Sequence, residues 1–104
     1  MSQSNISPER ESGIMTEEEV QEPHLYRVLL HNDDYTTMAF VVMVLIEVFR
    51  KKPEQANSIM LSVHENGLGV CGIYPREIAE FRVAQVGRLA KQEGFPLLCT
   101  MEVA

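Results

Sequence analysis

No apolar run in these 104 residues approaches the roughly 18 needed to span a bilayer, and the first segment is polar and acidic rather than basic then apolar. Neither a membrane span nor a signal peptide is expected, and a cytoplasmic location follows. Basic residues are scarce: nine Lys and Arg face 15 Asp and Glu, for a formal charge of −6. An acidic chain without a basic stripe is repelled by phosphate backbones and anionic lipid surfaces, which argues against nucleic acid or membrane as a main partner. Only two cysteines occur, Cys71 and Cys99, 28 positions apart and with no Cys-x-x-Cys pair. Neither a zinc site nor a thioredoxin-like motif is indicated, and both read as buried, inert thiols among apolar neighbours. A Gly-x-Ser-x-Gly elbow, a phosphate-cradling glycine loop, a His-Glu-x-x-His pair and a dinucleotide fingerprint are all missing. No enzymatic activity, cofactor or metal is expected.

What remains is enough for one domain, because 45% hydrophobic content with six glycines and five prolines is ordinary for a small packed core. Residues 1–24 are the exception. They hold six glutamates against one arginine, a net −5 of the chain's −6, and their apolar residues follow no period. Such a segment cannot bury enough surface to offset the entropy of ordering, so a flexible acidic arm is expected there, with a domain over 25–104.

From Leu25 the pattern changes. Tyr26, Val28 and Leu30 alternate with Leu25, Arg27, Leu29 and His31 as a strand does, and Asn32-Asp33-Asp34 ends the run. A helix follows, with Met38, Val41, Val42, Leu45, Val48 and Phe49 on one face and Arg50, Lys51 and Lys52 closing it. Pro53 suits the first turn of a second helix that buries Ala56, Ile59, Met60 and Val63 and stops at Asn66-Gly67. Leu68 to Tyr74 has strand character, and its Gly69 and Gly72 suggest a bulge or a close backbone approach. Pro75 and Glu77 open a third helix that buries Ala79, Val83, Val86 and Ala90 and runs to Gly94, and Leu97 to Val103 is a last strand. The order strand-helix-helix-strand-helix-strand gives an α+β fold: a three-stranded antiparallel sheet with helices on one face. A monomer is the default state.

The polar cluster Asn32-Asp33-Asp34, with His64 near the end of the second helix, admits three readings. One is a solvated turn and helix cap. Another is a metal site from His31, Asp33, Asp34 and His64, although that spacing matches no established ligand pattern. The third is a receptor for an α-ammonium group, mostly a cation at neutral pH with a pKa of about 8, which carboxylate and amide oxygens suit. Met38, Val41, Met60 and Val63 nearby could receive the first side chain, or could be ordinary core.

The run Tyr26-Arg27-Val28-Leu29-Leu30-His31-Asn32-Asp33-Asp34-Tyr35-Thr36-Thr37-Met38 resembles the opening strand and Asn-Asp-Asp-Tyr-Thr-Pro-Met signature of the ClpS N-recognin adaptors. Ala56 through His64, Val70-Cys71-Gly72, Ala79-Glu80 with Val83-Ala84, and Pro96-Leu97-Leu98-Cys99-Thr100 are similar as well, so the likeness runs from about residue 25 to 103 without gaps. The resemblance implies a non-enzymatic adaptor that takes proteins beginning with a free Leu, Phe, Tyr or Trp. By the same resemblance Asn32, Asp33 and His64 hold the α-amino group, directly or through water. Asp34, Thr36, Met38, Val41, Met60, Val63 and Leu97 line the side-chain pocket, with Met38 as its gate. Glu77 and Arg82 dock on the N-terminal domain of a AAA+ unfoldase, ClpA or a relative, and the arm helps to pass cargo onward. The resemblance is equally consistent with a regulator that docks on the unfoldase and blocks other substrates.

Where the family usually has Thr-Pro-Met-Glu, this chain has Thr36-Thr37-Met38-Ala39. Loss of the Thr/Glu capping box and of a preorganised proline is expected to weaken the helix start by about 1 kcal/mol. A more mobile gate, as in a divergent or second-copy member, is the consequence.

Overall fold

The computed structural model describes residues 24–104. The order is β1 (Leu25–His31), α1 (Met38–Glu47), α2 (Pro53–Asn66), β2 (Leu68–Pro75), α3 (Arg76–Glu93) and β3 (Leu98–Val103). The strands form one antiparallel sheet in the order β2-β1-β3, so the α+β expectation holds and the first strand lies in the middle. The acidic arm, apart from His24, lies outside the described residues. No described helix is long and apolar enough to cross a membrane.

β1 is central, apolar on its core face and mixed on the other, where Leu29 stands between Arg27 and His31. Val28 and Leu30 are fully buried in the core, and Leu29 on the other face is almost so; such a strand is stable only with neighbours on either side. Val28 and Leu30 share one buried cluster with Phe40, Val41, Val44 and Leu45 of α1, Ala56 and Val63 of α2, and Ala79, Val86 and Ala90 of α3. The alanines have no bulk beyond Cβ, so the helices that carry them can lie close to the sheet. On the opposite face Leu25, Ile73 and Leu98 stay about half exposed, and Arg27 and Glu102 pair across β1 and β3 at 2.7 Å.

Two irregularities shape one corner of the sheet. The β1–β2 register slips between Val28 and Leu29, leaving Cys71 without an opposite partner, which is the bulge that Gly69 and Gly72 led us to expect. A single residue, Gly67, joins α2 to β2. Its φ of 92° closes the helix with a left-handed cap.

The end of α1 departs from expectation. The helix stops at Glu47, and the basic residues Arg50, Lys51 and Lys52 lie beyond its last turn rather than in it. Arg50 adopts φ 58°, unusual for a residue with a Cβ, and Lys51 N–H returns to the Leu45 carbonyl at 3.1 Å. That reversal lets Val48 and Phe49 still reach the core.

Candidate functional site

Between β1 and α1 the chain is shaped by one carboxylate. Asp33 Oδ1 accepts the N–H groups of Tyr35 (2.8 Å) and Thr36 (2.7 Å), and Oδ2 accepts the Thr36 hydroxyl (2.7 Å). This is the side-chain turn that Asx residues favour. Partial burial raises the Asp33 pKa, but the bonds from Thr36 and Tyr35 outweigh it and hold the carboxyl below its ordinary value. Asp33 is therefore an anion that already organises its own loop.

The helix start differs from the one expected. Thr37, not Thr36, is the N-cap of α1, with φ −75° and ψ 151°, and its hydroxyl accepts Phe40 N–H at 3.1 Å. Thr36 is bonded to Asp33 instead, so Ala39 does not stand where a capping-box partner would reach. A threonine at this position supplies a side-chain acceptor that proline lacks, and the start of α1 is capped rather than frayed.

Asn32, Asp33, Asp34, Thr36, Met38 and Val41 meet Met60, Val63 and His64 of α2 around a recess of about 280 Å³. That is near the lower bound for small-molecule sites and suits a single large side chain. Val41 and Val63 are buried and form its floor, whereas Asn32, Asp34, Met38 and His64 are exposed at its rim. The recess thus pairs an apolar base with an edge of carboxylate, amide and imidazole groups. Every residue expected to hold an amine or receive a side chain lies on this wall except Leu97, which is packed in the hydrophobic core at the entry to β3. A larger depression of about 490 Å³ lies along α3, between Gln85, Arg88, Leu89, Lys91 and Gln92. Its described walls come from one helix and carry two cations, Arg88 and Lys91, with glutamine amides but no carboxylate to offset them, so it suits an ammonium group poorly.

The four residues of the metal reading are not gathered, because His31 Nε2 is bonded to Thr100 Oγ1 at 2.7 Å. Among the described residues no group of three His, Cys, Asp or Glu is placed to hold a metal ion. Burial pushes both thiols up, Cys99 to about 12, and Cys71 is raised further by the nearby Cys99; neither is a thiolate at neutral pH. Glu77 and Arg82 lie away from the recess on α3. The Arg82 guanidinium sits over the Tyr74 ring at 5.9 Å, and Ile78 and Phe81 are exposed beside it.

Fold and recess together define a small α+β binding domain with a mixed polar and apolar pocket. The family model for ATP-dependent Clp protease adaptor protein ClpS matches residues 21–100. The ClpS adapter protein of Oleidesulfovibrio alaskensis is 59% identical over 102 residues, covering 98% of each chain. That of Nitratidesulfovibrio vulgaris (strain Miyazaki F) is 58% identical over 93 residues, 89% of this chain and 93% of the relative. Among solved structures, Agrobacterium tumefaciens ClpS2 bound to L-phenylalaninamide matches with a TM-score of 0.77 at 40% identity, over 80% of this chain and 100% of that one. The chain belongs to the ClpS family, the adaptor proteins of the ATP-dependent Clp protease, and is an adaptor rather than an enzyme.

Proposed function

We propose that the recess binds the first residue of proteins that begin with a free, bulky hydrophobic amino acid (Leu, Phe, Tyr or Trp), and that the domain delivers them in the cytoplasm to a AAA+ Clp unfoldase. The observation that carries this reading is the convergence of Asn32, Asp33, Asp34 and His64 with Met38, Val41, Met60 and Val63 on one small cavity. A protein N-terminus presents both chemistries on one residue, an ammonium with three donors and a side chain on the same α-carbon. L-Phenylalaninamide, the molecule bound to the related ClpS2, is a minimal mimic of such a chain start, with its carboxamide standing for the first peptide bond. In this reading Asn32, Asp33 and His64 accept from the amine, Asp33 doing so with whatever acceptor capacity its loop leaves. The flexible thioether of Met38 adapts the mouth to different side chains. Docking on the N-terminal domain of a ClpA-like unfoldase falls to Glu77 and Arg82 on α3, where exposed Ile78 and Phe81 add apolar area.

Both halves of the recess are needed energetically. Burying a Leu or Phe side chain contributes roughly 1.5–3 kcal/mol, and each charge-assisted bond to the ammonium roughly 1.5–3 kcal/mol. Association removes several kcal/mol, so the two halves together reach micromolar affinity and neither does alone. Acetylating the amine of a Phe-initiated peptide should weaken binding about tenfold or more in a fluorescence titration; equal binding refutes the amine clamp. In a degradation assay the domain should speed breakdown of Leu- or Phe-initiated cargo, whereas uniform slowing of all cargo would establish a docking regulator in its place.

A further inference from the structure

We propose that Gly67 is a positioning residue for recognition of the chain start, its left-handed backbone setting the spacing between Asn32 on the end of β1 and His64 on the last turn of α2. The proposal rests on the reading of Asn32 and His64 as amine-binding groups. Gly67 is the single residue between α2 and β2, held at φ 92° and ψ −19°. Both of its backbone groups are committed. Its N–H donates to the Val63 carbonyl at 3.0 Å, and its carbonyl accepts Asn32 N–H at 2.9 Å. The second bond continues the β1–β2 ladder one step beyond the His31–Leu68 pair. One residue therefore fastens the helix end that carries Val63 and His64 to the strand end that carries Asn32. All three line the recess.

The torsion at Gly67 turns α2's last turn relative to β1. His64 lies within a helical turn of that pivot, and hydrogen bonds tolerate only about 2.7–3.2 Å between heavy atoms, so a shift of about 1 Å separates two groups that must meet one ammonium. A Cβ placed at Gly67 would meet nothing within 4 Å. Substitution there therefore perturbs backbone conformation and not packing. An L-alanine resists positive φ, whereas asparagine accepts it. The corner keeps a second tie, from the Ser62 hydroxyl to the Leu68 carbonyl at 3.2 Å, which favours a folded variant with an altered angle.

The test compares the full-length wild type, Gly67→Ala and Gly67→Asn. It measures affinity for Phe-initiated peptides with free or acetylated amines by fluorescence anisotropy, and it includes crystal structures of the unliganded proteins. Gly67→Ala should lose about tenfold in affinity for the free amine while its affinity for the acetylated peptide stays within about twofold, and Gly67→Asn should recover most of the loss. A Gly67→Ala protein that melts earlier but keeps the wild-type ratio of free to acetylated affinity would show a helix cap and nothing more, and would overturn the proposal. If the wild type itself ignores the amine, the amine-clamp reading falls, and the unliganded structures decide the positioning separately. His64 displaced from Asn32 by about 1 Å in Gly67→Ala supports it, and unchanged placement sinks it.

Discussion

Replacing Gly69 with alanine should press α2 away from the sheet. Gly69 is buried in β2 opposite Leu30. A Cβ there would stand 2.8 Å from Val63 Cγ2, 3.1 Å from the Ile59 carbonyl oxygen and 3.2 Å from Ile59 Cγ2. Carbon atoms rest at about 3.5–4.0 Å, so the new methyl lacks roughly 0.7 Å of room. Neither neighbour yields easily, since Val63 is β-branched with one strongly preferred helical rotamer and the Ile59 oxygen belongs to the helix backbone. Overpacking of this kind destabilises by about 1–3 kcal/mol, which in a domain of this size lowers Tm by roughly 5–20 °C. Because Val63 is also the buried floor of the recess, affinity for Phe-initiated peptides should fall with stability. Thermal melts and calorimetric titration measure the two effects. Adding Val63→Ala should return part of the stability loss, a coupling of about 0.5 kcal/mol or more. A Gly69→Ala protein that melts within about 2 °C of wild type refutes the reasoning, because α2 would then not be seated rigidly on the glycine.

Thr37→Ala removes the hydroxyl that receives Phe40 N–H and should lower stability by about 1 kcal/mol in urea unfolding. Thr37→Pro fits the observed φ of −75° but offers no acceptor, so it should fall between wild type and alanine; equality with alanine would show that a locked φ contributes nothing. The lowered pKa of Asp33 also has a signed consequence: its contribution to stability is complete above the unfolded-state value near 3.8 and is lost as pH falls through the folded value. Wild type should therefore lose stability below about pH 4 more steeply than Asp33→Asn, and parallel curves in chemical unfolding would dismiss the role given to the Thr36 and Tyr35 bonds.

The strands and the two longer helices could be read from sequence because their apolar residues keep a clear period and glycine or proline marks most of their ends. α1 could not be read as well. Met38 to Ile46 holds only apolar residues, so periodicity had no polar face to work against, and buried Phe40 and Val44 went unassigned beside the residues chosen. Its C-terminus was misplaced for a different reason, since nothing in Arg50 announces a left-handed φ. Asn32-Asp33-Asp34 looked like a turn from composition and like a binding loop from resemblance, and Asp33 shows why the two readings coexist: its carboxylate builds the turn that brings Asn32 and Asp34 to the rim. Leu97 was carried onto the recess by resemblance alone; like Val41 and Val63 it belongs to the buried core cluster, but unlike them it is not among the residues lining the recess. Gly67 was legible as a helix stop, but its bond to Asn32 joins residues that only the fold brings together.

On the proposed reading, selectivity follows from asking for two features on a single residue. An internal Phe offers the side chain without the ammonium, and its peptide N–H supplies one donor where a chain start supplies three. A lysine offers the ammonium on a flexible four-carbon stem, with no large apolar group beside the charge to fill the floor of Val41 and Val63. A chain beginning with alanine has the amine but leaves that floor empty, forgoing most of the roughly 1.5–3 kcal/mol that burial of a large side chain contributes. Valine or isoleucine at the start would place bulk on Cβ, beside the amine and against the rim, where the Asp33 turn and the Gly67 corner leave little freedom to move. The rigidity of that rim therefore matters as much as its charge, and this is why backbone changes at Gly67 and Gly69, which remove no ligand-facing group, should be felt in binding.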